Sequence, residues 1–260
     1  MGTLHFLTNI NENFFKRENP QEQKPRFLYK TMPLENFLKT IKKGLWFAKP
    51  SEWTDPFEKR FYSATCFLNG ERKIDNPLKD RFLCCCMTSI GQSEAHWNIY
   101  SREQIGIQLK INREKFISFL EKLPQNYHFF IGKAEYQKQI EIEDLLFKNT
   151  FLGKNFNYQD NDDLAKLLLL KRKAFEYEEE VRFIIMNNKR KEYKQKGFAI
   201  KGTNIKFIET IDSIKISPQC PKETASFLKK YLKQILSNNI KISHNHLYDE
   251  TEKNRSIIIK

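Results

Sequence analysis

Glycine is scarce in this chain, at nine of 260 residues. Neither G-x-x-x-x-G-K-[ST] nor G-x-G-x-x-G occurs, so the glycine loops that cradle phosphates are excluded. No C-x-x-C pair is present for zinc or redox work. Of five cysteines, Cys84, Cys85 and Cys86 are adjacent, while Cys66 and Cys220 stand alone. Three neighbours on a strand alternate faces and cannot meet one partner. Reduced, buried thiols in a cytoplasmic protein are therefore expected. Burial would raise their pKa values and argues against a cysteine nucleophile. Neither H-E-x-x-H nor G-x-S-x-G appears. His244-x-His246 lacks a third ligand at helpful spacing, so no metal is expected. The N-terminus has no basic segment followed by an apolar one, which argues against a signal peptide. Apolar runs such as Leu167 to Leu170 are far too short to span a bilayer.

What is abundant is positive charge and phenylalanine. The formal net charge is +13, and there are 22 phenylalanines. A positive field of that size attracts a polyanion such as RNA, DNA or an acidic protein. A Lys-rich composition also accompanies AT-rich coding sequence, so charge alone does not name a partner. The apolar content is ample for a core at this length.

Residues 1–25 are polar and read as a flexible N-terminal arm. Arg26 to Lys30 reads as a short strand. Leu34, Phe37, Leu38 and Ile41 then repeat at helical spacing, with Pro33 at the start and Gly44 past the end. Leu45 to Ala48 is a strand, and Ser51 to Glu58 a turn-rich loop expected to cover a cleft. Phe82 to Met87 reads as a strand buried on both faces. Ser93 caps a short helix over Glu94 to Tyr100. Gly106 to Ile111 alternates as a strand, and a helix over Arg113 to Leu123 follows. Asp163 to Lys173 reads as another helix. Lys189 to Lys201 is a basic surface excursion. Phe207 to Ile216, Ile240 to Ser243 and Ser256 to Lys260 read as strands, with a helix from Pro221 to Leu236. No repeat or internal boundary is visible. The expectation is one α+β domain over 26–260, with short mixed or antiparallel strands around a cleft and flanking helices. Residues 203–260 form a strand-helix-strand extension of the same core.

The most informative stretch runs from Phe175 to Ile185. As one strand it places Tyr177, Val181, Phe183 and Ile185 on one face, and Glu178, Glu180 and Arg182 on the other. Two carboxylates and a guanidinium on one rigid face suit a ligand site. The alternative is a solvated face with a cross-paired arginine.

Four segments together resemble the DUF2971 family of bacterial proteins. Tyr29-Lys30 precedes a helix and Leu45-Trp46-Phe47-Ala48-Lys49-Pro50. Trp53-Thr54-Asp55-Pro56-Phe57-Glu58 is similar to the family's F-N-D-P-F-E, with Thr54 replacing Asn. Cys86-Met87-Thr88, Trp97, Tyr100 and Gly106-Ile107 are similar to C-F-S, W-x-x-Y and G-x-x-I. Phe175-x-Tyr177-Glu178-x-Glu180-x-Arg182 is similar to W-x-Y-E-x-E-x-R. The family's layout is in turn similar to that of ADP-ribosyltransferases, a likeness that does not itself fix function. It implies an ADP-ribosyltransferase-like enzyme using NAD as substrate, a toxin or phage-defence effector modifying nucleic acid or protein. An antitoxin or defence-system partner goes with that reading. The implied catalytic residues are Glu180 and Glu178. The implied NAD contacts are Tyr29, Lys30, Trp53, Asp55, Phe57, Trp97, Tyr100 and Arg182. The alternatives are a non-catalytic nucleic-acid-binding module and a metal-dependent nuclease built on Glu178 and Glu180.

Overall fold

Alternating apolar runs in the middle of the chain become the centre of one large sheet. The computed structural model describes residues 3–6, 25–68, 72–74, 76, 78, 81–101, 105–122, 127–147, 160–187, 196–200, 206–236 and 239–247. In chain order the first elements are β1 (Thr3–Phe6), β2 (Phe27–Pro33), α1 (Leu34–Lys43), β3 (Leu45–Ala48) and α2 (Pro56–Ser63). A small hairpin of β4 (Cys66–Leu68) and β5 (Arg72–Ile74) follows. Next come β6 (Phe82–Thr88), α3 (Glu94–Tyr100), β7 (Gly106–Asn112), α4 (Arg113–Glu121), β8 (Tyr127–Lys133), β9 (Glu135–Gln137) and α5 (Gln139–Phe147). The last are α6 (Asn161–Leu167), β10 (Leu170–Arg172), β11 (Glu180–Asn187), β12 (Gly197–Ile200), β13 (Ile211–Ile216), α7 (Lys222–Ile235) and β14 (Lys241–His244).

Ten strands form a mixed sheet whose main order is β1-β8-β11-β6-β2-β7-β13-β14. The fold is α+β. Thr3–Phe6 lies inside the stretch read as a loose arm, yet it pairs in parallel with β8 at the sheet edge. Strand β13, helix α7 and parallel β14 form the strand-helix-strand unit at the other edge. The basic excursion lies mostly outside the described residues, as does the strand read over 256–260. No helix among the described residues is long and apolar enough to cross a membrane.

Period-two alternation explains why the sheet has two cores. On β11, Val181, Phe183 and Ile185 enter one apolar cluster, while Ile184 and Met186 enter the other. On β6, Cys85 and Leu83 join the first, while Cys84 and Phe82 join the second. A strand apolar on both faces is what burial on both sides requires. Phe183 stands edge-on to Phe116 of α4, with centroids 4.8 Å apart.

Local signals place the helices. Pro33 precedes α1, and Gly44 ends it with φ 103°, a conformation glycine adopts without steric cost. Ser93 Oγ accepts from the His96 amide at 3.2 Å and starts α3. Asn112 Oδ1 does the same for Lys115 at the start of α4.

Two of the elements that differ from the sequence reading bear on the site. The helix expected to reach Lys173 ends at Leu167, and Leu170–Arg172 becomes β10, paired with β9. The strand expected from Phe175 begins at Glu180. Lys173–Glu178 is instead a 3-10 turn, closed by Glu179 at φ 38° in the left-handed region. Tyr177 is consequently 44% exposed rather than part of a core.

Truncating the aromatic at the centre of the larger core tests this packing. Phe183→Ala should lower stability by about 3–5 kcal/mol, measured by urea denaturation.

Candidate active site

The site forms where the sheet parts. Strands β2 and β6 meet through a single registered pair, Tyr29 with Thr88. Further along, β6 pairs instead with β3, through Cys84 and Ala48. The wedge between the diverging strands leaves the Cys86 carbonyl outside the ladder, and Lys30 Nζ donates to it at 2.8 Å. A buried carbonyl needs such a partner. The wedge opens into a hollow of about 110 Å³. Tyr29, Lys30 and Thr31 line it from β2; Cys86, Met87 and Thr88 from β6; His96 and Tyr100 from α3; Glu178 from the 3-10 turn; and Glu180 from the start of β11. The phenol end of Tyr29 packs on Gly91: a Cβ there would stand 2.7 Å from the ring.

Behind the hollow runs a chain of buried charges. Arg182 is only 1% exposed. Its Nη2 donates to Glu58 Oε1 at 2.6 Å and to Glu180 Oε2 at 2.9 Å. Its Nη1 donates to the Leu168 carbonyl at 2.5 Å, and its Nε to Glu180 Oε2 at 3.2 Å. Trp53 covers the guanidinium face, 4.4 Å from the ring centroid. On the other side of Glu180, Lys171 Nζ donates to Oε2 at 2.9 Å, and the same ammonium pairs with Glu178. The Glu180 amide donates to Tyr136 Oη at 2.8 Å. Three carboxylates thus face two cations.

Burial opposes ionisation of Glu180, but Arg182 and Lys171 outweigh it and hold its carboxyl down at about 2. Burial likewise disfavours the Lys171 ammonium, and Glu180 and then Glu178 more than restore it, against the repulsion of Arg182. Glu58 moves the other way: burial pushes its carboxyl up against the pull of Arg182. Burial and the neighbouring Glu180 raise the Cys86 thiol well above its ordinary value. Tyr100 is also raised, by burial and then by Glu178.

Of the residues singled out from sequence, the fold gathers Tyr29, Lys30, Tyr100, Glu178 and Glu180 around one hollow. Glu178 arrives there from the 3-10 turn and not from the strand, because left-handed Glu179 separates the two segments. The others lie elsewhere. Arg182 has its guanidinium committed to Glu58, Glu180 and Leu168, which leaves it no role at the hollow wall. Trp53 is packed on Arg182 and stands edge-on to Tyr62 at 5.4 Å. Asp55 accepts from Arg172 Nη2 at 2.7 Å and from the Phe57 amide at 2.9 Å, which starts α2. Phe57 lies under the Arg172 guanidinium at 5.7 Å and packs on the smaller core. The Trp53–Glu58 segment therefore buttresses the acidic pair from behind instead of covering a cleft. Trp97 is fully buried in the fold. Lys171, Glu58 and His96 were not singled out. Lys171 opens the basic run Lys171-Arg172-Lys173 after four leucines, and nothing in that run sets it apart from its neighbours. Among the described residues no group of three or more His, Cys, Asp or Glu is placed to hold a metal ion.

Residues 96–183 match the family model DUF2971, a protein of unknown function. The DUF2971 match contains Trp97, Tyr100, Gly106 and the Phe175–Arg182 motif, so two of the four resembling segments fall in it wholly or in part. Among curated proteins no match was found. Solved structures of DarT from Thermus sp. 2.9 are also similar, one in complex with ADP-ribosylated ssDNA and one with NAD+. Each is 12% identical with a TM-score of 0.38, covering 85% of this chain and 94% or 96% of DarT. At that score the likeness is too distant to fix fold or function. In the DUF2971 segment, the charged pair Lys171–Glu180 and Arg182 are the parts whose geometry is now explicit.

The charge chain should make the protein acid-sensitive. A carboxyl depressed from 4.5 to about 2 adds stability that is complete above 4.5 and lost as pH falls toward 2. The loss from Glu180 should be about 3 kcal/mol. Glu58, raised by burial, acts in the opposite sense above 4.5. Lys171→Met leaves Glu178 and Glu180 without their shared cation. It should cost about 3–5 kcal/mol at pH 7 and shrink the acid-dependent loss, both read from denaturation curves.

Proposed function

We propose that this chain is an NAD-consuming ADP-ribosyltransferase whose reaction centre is the hollow between β2 and the acidic turn. The observation that carries the reading is the meeting of Tyr29 and Lys30 with Glu178 and Glu180 around one cavity, from segments about 150 residues apart in sequence. Breaking the bond between nicotinamide and ribose develops positive charge on the sugar. Carboxylates fixed beside that sugar stabilise the transition state more than the ground state. Glu180 supports such a role because Arg182 and Lys171 favour its ionised form. Its position is set by Arg182, Lys171 and Tyr136, so little reorganisation is needed as charge develops.

Size limits what enters. A cavity of about 150 Å³ holds a benzene-sized ring, and sites for whole drug-sized ligands are about 300–1,000 Å³. The hollow, at about 110 Å³, suits the reacting end of NAD, with the remainder lying outside the mouth. Tyr29 and the 40%-exposed Tyr100 offer ring faces there. Lys30 stands at the same wall, and its ammonium, with one of three donors on the Cys86 carbonyl, has others to offer a phosphate oxygen. The +13 net charge supports a polyanionic acceptor, with nucleic acid the leading class.

A metal-dependent nuclease fits less well, because Lys171 already occupies the place between Glu178 and Glu180 that a cation would take. The test is incubation with NAD labelled in the adenylate half, alone and with single-stranded DNA, RNA or an acidic protein. Nicotinamide release and label transfer are expected, with Glu178→Gln and Glu180→Gln each reducing both by about 100-fold or more. Wild-type protein that leaves NAD intact under all these conditions would refute the reading.

A further inference from the structure

Outside the hollow, the outer strands of the sheet leave one large aromatic in solvent. Trp46 of β3 is 47% exposed, while Leu45 and Phe47 on either side of it are fully buried in the larger core. Alternation along the strand accounts for the difference. The indole packs on Gly197 of β12: a Cβ there would stand 2.5 Å from Trp46 Cζ2 and 2.6 Å from Cε2. An aromatic over a strand glycine braces a sheet, which explains the covered part of the ring. The uncovered part is thereby held in place, so a ligand that meets it has little left to order.

Cations flank this ring. Lys196 immediately precedes Gly197; its side chain is 83% exposed and its ammonium pairs with Glu52 at 3.4 Å. An exposed pair of that length is worth little and yields to a phosphate. Lys42 and Lys43 are exposed at the end of α1, and no more than about 14 Å of chain separates either from Trp46. Register also ties the patch to the hollow. Ala48 pairs with Cys84, so Trp46 and Cys86 stand on the same side of the sheet. That is the side of Glu180 and Arg182, whose partners on β6 are Thr88 and Cys86. Strand geometry keeps the Trp46 backbone within about 20 Å of Cys86, a residue of the hollow wall.

We propose that Trp46 is a stacking platform for a base of single-stranded nucleic acid, with Lys42, Lys43 and Lys196 holding the phosphates on either side. Every base has a face that stacks on an indole, and the lysines match the charge of the backbone. A duplex keeps its bases stacked on one another and offers the ring none without unstacking. A lipid surface fits less well. It asks for a continuous apolar face, whereas β3 presents a single exposed aromatic between buried residues. The inference deepens the acceptor part of the transferase reading and rests on that reading for its purpose: a strand seated on Trp46 has its next nucleotides led toward Glu178 and Glu180.

The experiment titrates the full chain, without NAD, with single-stranded DNA and RNA of about 16 nucleotides, with the same DNA as a duplex, and with phosphatidylserine vesicles. Tryptophan emission and the anisotropy of a labelled strand are followed. Wild type is compared with Trp46→Phe, Trp46→Ala and the triple variant Lys42→Gln/Lys43→Gln/Lys196→Gln, with folding checked by thermal melts. Single strands of either sugar should bind and quench the emission, and the duplex should leave it unquenched. Trp46→Phe should lose most of the quench yet bind within about threefold of wild type, and Trp46→Ala should bind about tenfold or more weakly. The triple variant should reduce the slope of log affinity against log salt by about 2. Should Trp46→Ala fail to fold, Trp46→Phe and the triple variant decide. Quenching that persists in Trp46→Phe, a folded Trp46→Ala that binds like wild type, equal quenching by the duplex, or quenching by vesicles alone would overturn the assignment. Strand binding that depends on Trp46, in a protein that releases no nicotinamide, would keep the platform and remove the transferase reading. Nicotinamide release without strand binding would do the reverse.

Discussion

A buried guanidinium organises this protein. Arg182 sits on the central strand, almost wholly removed from water, and each of its three guanidinium nitrogens donates to a partner. An unpaired charge in that position would cost several kcal/mol, so its partners must be present together. They come from three separate segments: Glu58 from α2, the Leu168 carbonyl from the end of α6, and Glu180 from its own strand. The face of Trp53 closes the remaining side. Tying these segments to one side chain fixes the Trp53–Glu58 loop, the leucine run and the acidic turn relative to the sheet. A rigid second layer of this kind is what a preorganised site requires.

The hollow follows from that arrangement together with a parting of strands. Strand β6 leaves β2 after one pair and turns its other end to β3, so the ladder opens at Lys30 and Cys86. Arg182 and Lys171 press Glu180 and Glu178 toward the opening from behind. The result is a small concavity with fixed negative charge on one wall and phenol, hydroxyl and imidazole groups on the other. Such a wall favours a substrate whose reacting atom becomes positive. Size sets a second condition, because only a ring-sized part of a substrate enters.

The fold's strongest periodicities were legible in the sequence. Alternation on Val181, Phe183 and Ile185, the apolar run Phe82–Met87, and the helix-end signals Ser93 and Gly44 all correspond to observed elements. The convergence of Tyr29 with Glu180 was legible too, though only through resemblance of motifs, since no local rule links segments so far apart. What failed to show was the backbone turn at Glu179. Four charged residues between apolar segments read equally well as a strand face or as a tight turn, and tertiary ion pairing decides between them. The same pairing drew Lys171 out of an expected helix, where leucine propensity alone would have kept it. Asp55 and Arg182 looked like ligand contacts because a sequence does not distinguish a carboxylate facing a cavity from one facing another side chain.

The most direct test is the structure of this chain crystallised and soaked with NAD. The account predicts the nicotinamide end inside the hollow, its ribose beside Glu178 and Glu180, and the adenylate outside past Tyr29 and Tyr100. The charge chain from Glu58 to Lys171 should be unmoved. Nucleotide bound on another face, or bound only after Arg182 abandons Glu58 and Glu180, would contradict it.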